Sequence, residues 1–154
     1  IIGTGKRIEE ARQQVQNQRI DHKVIFLPRM RWEEMMGFIK CCDAGLSIDA
    51  DTCANQRFSL PNKLFDTIGA GVPVIVSPLP EVSAIIAKYR CGLVLDELTP
   101  RAIAGALSLL RDDQQLLSDL KGNALSAAEE LSWEKEQIAE RDLFIRVIKE
   151  NSIK

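Results

Sequence analysis

The sequence predicts a three-layer α/β/α domain, Rossmann-like, whose mostly parallel sheet is covered by helices on both faces. Short β-rich runs alternate along the chain with helical patterns, which is typical of βα units. The clearest strand, residues 72–77, is a compact apolar run of the kind that is buried in a parallel sheet. The length of 154 residues is enough for one such domain and short for two. We expect about five strands in the sheet.

Composition and charge narrow the class of protein. Hydrophobic residues make up 45% of the chain and charged residues 27%, as in ordinary soluble domains. The net charge of -2 argues against non-specific binding of nucleic acid. No apolar run reaches the roughly 20 residues that span a bilayer, and no signal peptide is visible. We therefore expect a cytoplasmic protein.

The cysteines are Cys41, Cys42, Cys53 and Cys91, and the sequence has one histidine, His22. They show neither a C-x-x-C spacing nor the paired spacings of a tetrahedral zinc site. We expect reduced and mostly buried thiols and no bound metal.

The first third of the chain carries two amphipathic helical patterns and one compact strand. Residues 23–27 form the strand, which Pro28 ends. Apolar residues recur at helical spacing on either side of it, at Ile8, Ala11 and Val15 and at Trp32, Met35, Met36 and Ile39. The chain starts on two isoleucines that resemble the end of another strand, so we expect residue 1 to be a cut and not a natural start.

The remaining elements alternate in the order expected of βα units. Segment 49–59 is polar and without periodicity, which predicts a loop. Gly71 ends one helix, and Thr99 followed by proline begins another. The predicted strands are residues 44–48, 72–77 and 93–95. The predicted helices are residues 62–70, one through Val82, Ile85 and Ile86, then 100–111, 113–130 and a final one from 132 to about 151.

Residues 59–75 form a loop that leads into a helix N-terminus. Asn62 can cap this helix, and Asn62 and Asp66 share the face toward the carboxyl edge of the sheet. Unpaired N–H groups at such an end, with Lys63 beside them, form an anion site suited to a diphosphate. Asp66 can accept hydrogen bonds from two ribose hydroxyls. A plain alternative stays open at this point, namely a capped core helix whose dipole Asp66 complements.

This run resembles the signature of the large retaining family of GT-B-fold glycosyltransferases (glycosyl transferases group 1, family 4-like), which includes many capsule and O-antigen enzymes. In that family a P-[NS]-K-L-x-[ED]-x-x-A-x-G-x-P-V-I segment binds the nucleotide sugar. The matching residues are Pro61, Asn62, Lys63, Leu64, Asp66, Ala70, Gly71, Pro73, Val74 and Ile75. Shorter family motifs recur in order over essentially the whole chain, at residues 1–5, 24–27, 42–46, 80–81, 91–92 and 132–134.

The resemblance implies that residues 1–154 are a single C-terminal donor-binding domain, truncated at its N-terminus and without the N-terminal acceptor domain. The implied reaction is transfer of a hexosyl group from a UDP- or GDP-sugar to a glycan or lipid-linked acceptor, without a metal or other cofactor. The missing half would bind the acceptor and could place the enzyme at the inner face of the membrane. We expect the isolated chain to bind nucleotide weakly and to be inactive. The apolar residues 143–148 are a candidate contact with the missing half.

The resemblance also implies roles for individual residues. Asp66 would hold the ribose, while Lys63 and the N–H groups near Asn62 would hold the phosphates and stabilise the departing nucleoside diphosphate. Glu81 would either reach the donor sugar or complement the dipole of its own helix. Lys63 and Glu81 are therefore the candidate catalytic residues. The other residues expected at the nucleotide sugar are Pro61, Leu64, Gly3, Thr4, Gly5, Pro28, Arg29 and Met30.

The sequence departs from the family pattern at two positions. Many members carry a glutamate eight positions before the ribose-binding acid, where this chain has Phe58. The ribose-binding acid is itself aspartate, Asp66, instead of the commoner glutamate. Both departures leave the identity of the donor sugar open.

Two other functions stay open. A nucleotide-sugar epimerase of the same fold would need acid and base groups in this half, and the candidates are Glu81, Asp49 and Asp51. The other is a non-catalytic response-regulator-like or interaction domain. A phosphoacceptor version of it would need an acidic cluster at strand ends, whereas Asp43 lies at a strand start.

Two short motifs give only weak evidence for other kinds of site, a dinucleotide site and a metal site. Residues 3–8 begin like a dinucleotide fingerprint but lack its third glycine, and residues 49–51 resemble the D-x-D of metal-dependent transferases of another fold.

Overall fold

The structure is a computed structural model that describes residues 1–5 and 7–151, apart from the side chains at positions 139 and 151. The chain divides into two compact units, Ile1–Phe38 and Ile39–Lys154. Lys6, which belongs to the glycine-containing run near the start, lies outside the described residues.

The first unit contains helix α1 (Ile8–Asn17) and most of helix α2 (Trp32–Lys40), as the helical patterns predicted. One parallel bridge pairs Ile2 with Leu27, at the ends of two segments that were expected to be strands. None of the residues described in this unit is buried, and Ile25 is 69% exposed. The prediction of a buried strand over residues 23–27 is therefore wrong, because too little of the segment is covered to support one.

The second unit is built on a parallel sheet of strands β1 (Gly45–Ser47), β2 (Val74–Val76) and β3 (Gly92–Val94), in that order. A Cβ added at Gly92 would lie 2.0 Å from the carbonyl oxygen of Val74, so only glycine fits beside the central strand there. The sheet has three strands among the described residues, where about five were expected. The other two predicted strands lie in the first unit and meet only in the single bridge.

The second unit has six helices among the described residues, and five of them lie where the sequence predicts helices, with ends within one residue wherever bounds were predicted. They are α3 (Ala54–Arg57), α4 (Asn62–Gly69), α5 (Pro80–Tyr89), α6 (Pro100–Asp112), α7 (Gln114–Glu130) and α8 (Trp133–Asn151). The hydroxyl of Thr99 caps α6 by accepting a hydrogen bond from Ala102 N–H at 3.2 Å. Gly71 follows α4 in the left-handed region, at φ 72°. The sequence does not predict α3, because its four residues carry no apolar periodicity.

Helices cover both faces of the sheet, which confirms the predicted three-layer fold. One cluster joins Val74 and Val76 to α4, α5 and α7, and the other joins Ile75 to α6 and α7. The buried helical members are Leu64, Ile68, Val82, Ile86, Ala124 and Ala127 on the first face and Leu110, Leu117 and Leu120 on the second. Because successive side chains of a strand point to opposite faces, β2 supplies both clusters and is buried along its whole length.

The cysteines are free thiols, but they are not mostly buried as expected. Cys91 is buried beside β3, whereas Cys41, Cys42 and Cys53 are exposed. Cys41 and Cys42 follow the end of α2, and Cys53 lies in the polar segment before α3, so none of these three reaches the core.

The last helix, α8, exposes its apolar residues. Leu143, Phe144, Ile145, Val147 and Ile148 are each at least 42% exposed. A contact of residues 143–148 with another domain stays a prediction. Over the ranges 1–5 and 7–151, no helix combines the length and the apolar character that crossing a bilayer requires.

Candidate functional site

The candidate site lies where β1 and β2 end. Because the two strands are parallel, the residues that follow them come to the same edge of the sheet: Ile48 and Asp49 after β1, and Ser77 after β2. The backbone N–H of Asp49 donates a hydrogen bond to the hydroxyl of Ser77 at 2.8 Å, which joins the two strand ends. Helix α5 begins three residues after Ser77, with Glu81 exposed in its first turn.

The N-terminus of α4 contributes backbone N–H groups to the site. Its N-cap residue is Pro61, and Asn62 already lies inside the helix, so the expectation that Asn62 caps it is wrong. The first N–H groups of a helix have no partner within it, and the N-cap residue Pro61 accepts no hydrogen bond from them through its side chain. One is an exception, since Leu64 N–H donates to the Pro61 carbonyl at 3.0 Å. Asn62 and Lys63 are exposed, which leaves this end of the helix open to solvent.

Lys63 links the start of α4 to the end of β1. Its ammonium donates to the Asp49 carboxylate at 2.8 Å and to the Ile48 carbonyl at 3.3 Å. The Lys63 side chain is 44% exposed and that of Asp49 is 30% exposed, so the ion pair is only partly shielded from water. The family resemblance implies a role for Lys63 at the phosphates and none there for Asp49. The signal that could have found Asp49 is its position directly after a strand, at the edge where open α/β sheets bind ligands.

Asp66 lies one turn into α4 and is half-buried. Leu64 and Ile68 of the same helix are fully buried, so position 66 faces away from the core. The helix geometry thus presents Asn62 and Asp66 on one face, as predicted. The Leu64 side chain belongs to the core, so any contact of Leu64 with a ligand would have to involve its backbone.

An open pocket of about 570 Å³ lies between segment 49–59 and the start of α5. Phe58 lines it and is 58% exposed, and Pro80 closes one side. Arg57 and Asp51, also in its lining, form a loose ion pair at 3.7 Å. The pocket therefore presents an aromatic ring and charged groups next to the start of α5.

The remaining predicted site residues lie in the first unit. Gly3, Thr4 and Gly5 follow Ile2, and Pro28, Arg29 and Met30 follow Leu27. Because Ile2 and Leu27 form a parallel bridge, these two runs leave it in the same direction, and Gly3 N–H donates to the Leu27 carbonyl at 3.1 Å. The structure thus brings the two runs together with each other. Their contact with a nucleotide stays a prediction.

The D-x-D pair is engaged with cations, because Asp49 pairs with Lys63 and Asp51 with Arg57. In the described part of the chain, no three Asp, Glu, His or Cys residues are grouped so that they could hold a metal ion. Independence from metals stays a prediction.

Two comparisons with known sequences bear on this site. A family model described as Glycosyl transferases group 1 matches residues 1–113. The chitobiosyldiphosphodolichol beta-mannosyltransferase of Kluyveromyces lactis is 26% identical over 137 residues, which are 87% of this chain and 30% of that protein. The chain therefore spans about a third of the length of this curated relative.

Two solved structures share the fold. Sucrose-phosphate synthase from Thermosynechococcus elongatus has a TM-score of 0.79 at 15% identity, over 96% of this chain and 38% of its own. Anabaena HepE in complex with UDP has a TM-score of 0.70 at 16% identity, over 91% of this chain and 39% of its own. These likenesses confirm the predicted fold class, half of a GT-B fold.

Proposed function

The chain belongs to the family of glycosyl transferases group 1, and we propose that it binds the nucleoside-diphosphate-sugar donor of a glycosyltransferase. The observation that carries this proposal is the meeting of Lys63 and the open N-terminus of α4 at the ends of β1 and β2. Ligands of open α/β sheets bind outside the carboxyl ends of the strands. A helix N-terminus and an ammonium group at that place favour a diphosphate.

We assign the contacts as follows. The N–H groups of Asn62 and Lys63 and the Lys63 ammonium bind the two phosphates, and the Asp66 carboxylate accepts hydrogen bonds from the ribose hydroxyls. Negative charge develops on the diphosphate as the sugar leaves, and Lys63 with the helix N-terminus stabilises it. These groups supply the charge stabilisation that a metal provides in other transferases, so the proposed reaction is metal-independent. Glu81 lies beside the sugar.

The proposed reaction is transfer of a hexosyl group from a UDP- or GDP-sugar to a glycan or lipid-linked acceptor. A relative that carries out mannosyl transfer and a structural neighbour in complex with UDP support a nucleotide-sugar donor. The acceptor is bound outside this chain, so the chain alone transfers no sugar. Phe58, which lines the pocket next to α5, would offer the sugar an apolar surface in place of a carboxylate.

Ligand-detected NMR tests this proposal. We expect saturation transfer from the chain to the ribose and base of UDP or GDP and of their sugars. Asp66→Ala is expected to lose most of this transfer, because a ribose hydrogen bond to a carboxylate contributes about 1.5–3 kcal/mol, or roughly tenfold or more in affinity.

The matched control is Asp119→Ala, which removes an exposed carboxylate from α7, on another helix of the same unit. This variant should bind nucleotide as the unchanged chain does. Equal binding by Asp66→Ala and Asp119→Ala would refute the assignment of Asp66.

The two alternative functions gain no support from the contacts of these residues. An epimerase needs free acid and base groups, but Asp49 forms an ion pair with Lys63 and Asp51 forms one with Arg57. Of the three candidate groups, Glu81 is then the one that remains for acid–base chemistry. Asp43, the acid considered for a phosphoacceptor, pairs with Lys121 at 3.0 Å and precedes β1. A cytoplasmic location and a peripheral contact with the membrane stay predictions from the sequence.

A further inference from the structure

We propose that Asp49 competes with the donor's diphosphate for Lys63, so that its carboxylate limits how tightly the nucleotide is held and favours release of the nucleoside diphosphate product. This inference rests on the proposed function, because it assumes that the phosphates bind at Lys63. It adds a residue that tunes the affinity of that same site.

The Asp49 carboxylate is held in place from two directions. Its own backbone N–H donates to the hydroxyl of Ser77, which is 1% exposed at the end of β2. The carboxylate itself accepts from Lys63 at 2.8 Å. An acid at this position therefore acts as the resident anion of the site while no other anion is bound.

The hydrogen bonds of Lys63 show what a diphosphate must displace. An ammonium group has three N–H donors, and in the described structure Asp49 and the Ile48 carbonyl take two of them. One donor remains for a phosphate oxygen. Fuller engagement of the phosphates requires Lys63 to exchange the carboxylate for phosphate, and the negative charge of Asp49 also repels the incoming anion.

Asp49 has an opposite effect as well, because it anchors the flexible Lys63 side chain and so lowers the entropy cost of binding. Asp49→Asn separates the two effects. The amide keeps an oxygen that can accept from Lys63, so the anchor remains while the charge is removed. The net effect of this variant is therefore set by the charge.

The experiment is a calorimetric titration of the chain with UDP, GDP and the two matching nucleosides. We expect Asp49→Asn to bind its nucleoside diphosphate about two- to fivefold more tightly, the range of a partly exposed ion pair. Binding of the nucleoside, which has no phosphate, should not change. In a Lys63→Met background, Asp49→Asn should give a smaller gain, because no competition for Lys63 remains and only the repulsion between Asp49 and the phosphates is relieved.

Asp43→Asn is the matched control. It makes the same change in net charge and breaks an ion pair of similar length, Asp43 with Lys121 at 3.0 Å. Asp43 precedes β1, so it lies at the opposite end of the strand from the site. This variant should bind nucleotide as the unchanged chain does.

Each outcome decides the matter. The inference is overturned if Asp49→Asn binds the nucleoside diphosphate no more tightly than the unchanged chain, or if Asp43→Asn gains as much affinity. In either case, nucleotide binding by the unchanged chain still supports the proposed function. If the unchanged chain binds no nucleotide, the proposed function fails, and this inference with it. Thermal unfolding of each variant shows whether it folds, and Asp49→Gln, whose neutral amide also keeps an oxygen that can accept from Lys63, replaces Asp49→Asn if the latter does not fold.

Discussion

The side chain of Lys63 reaches from the first turn of α4 to the end of β1, where two oxygens accept its hydrogen bonds. Asp49 and Lys63 are 14 residues apart in the chain. They meet because α4 begins beside the carboxyl end of the sheet, where Ser77 fixes the backbone of Asp49. At the scale of single residues, the candidate site thus consists of the Lys63–Asp49 ion pair and the exposed N-terminus of α4. The proposed competition is between the Asp49 carboxylate and a bound diphosphate for the Lys63 ammonium.

Thiol reactivity tests the burial of the cysteines. Burial raises the pKa of the Cys91 thiol, which suppresses the reactive thiolate. Three exposed thiols, Cys41, Cys42 and Cys53, should react in the reduced native chain with an aromatic disulfide reagent, and the fourth only in denaturant. A Cys91→Ala variant should give the same native count and gain nothing on unfolding. Four thiols reacting at one rate in the native chain would contradict the buried position of Cys91.

At the scale of elements, the short parallel strands depend on close backbone approach. Gly92 of β3 lies opposite Val74 of β2, where a Cβ would meet the Val74 carbonyl oxygen at 2.0 Å. The rest of β2 is held by alternate packing of its side chains on both faces. Loss of the fit at Gly92 would therefore separate β3 from the sheet.

Gly92→Ala should lower the free energy of unfolding by about 1–3 kcal/mol, the usual cost of overpacking. Gly105→Ala is the matched control, because an added Cβ there meets open space inside α6. The control should raise stability by about 0.5–1 kcal/mol through helix propensity. Urea unfolding measures both, and equal effects of the two substitutions would contradict the close approach at Gly92.

The sequence predicts most elements of the second unit because their signals are local. Thr99 with Pro100 begins α6 and Gly71 ends α4, and both act through neighbouring backbone groups. The features that the sequence does not predict depend on contacts between residues far apart in the chain. The run 23–27 is apolar enough for a buried strand, but no local pattern shows whether helices will cover it. In the same way, the partner of Lys63 depends on the path of segment 49–59, which connects the end of β1 to the start of α4.

At the scale of the whole molecule, the described core belongs to one unit. Ile39–Lys154 contains both buried clusters, whereas none of the residues described in Ile1–Phe38 is buried. The proposed phosphate and ribose contacts all lie in the unit with the core. The helix that carries Lys63 and Asp66 is packed on this core through Leu64 and Ile68, which favours a fixed geometry at the diphosphate. Contact of the runs after Ile2 and Leu27 with a nucleotide stays a prediction.

The most direct test of the central claim is the map of backbone amide shifts in the ¹⁵N-labelled chain as UDP or GDP is added. We expect the largest shifts at Asn62, Lys63 and Asp66 and at Asp49 and Ser77. Glycines in α6 and α7, away from these strand ends, should stay unchanged. Shifts centred instead on the exposed apolar residues of α8 or on the residues before β1 would contradict a diphosphate site at the carboxyl edge of the sheet.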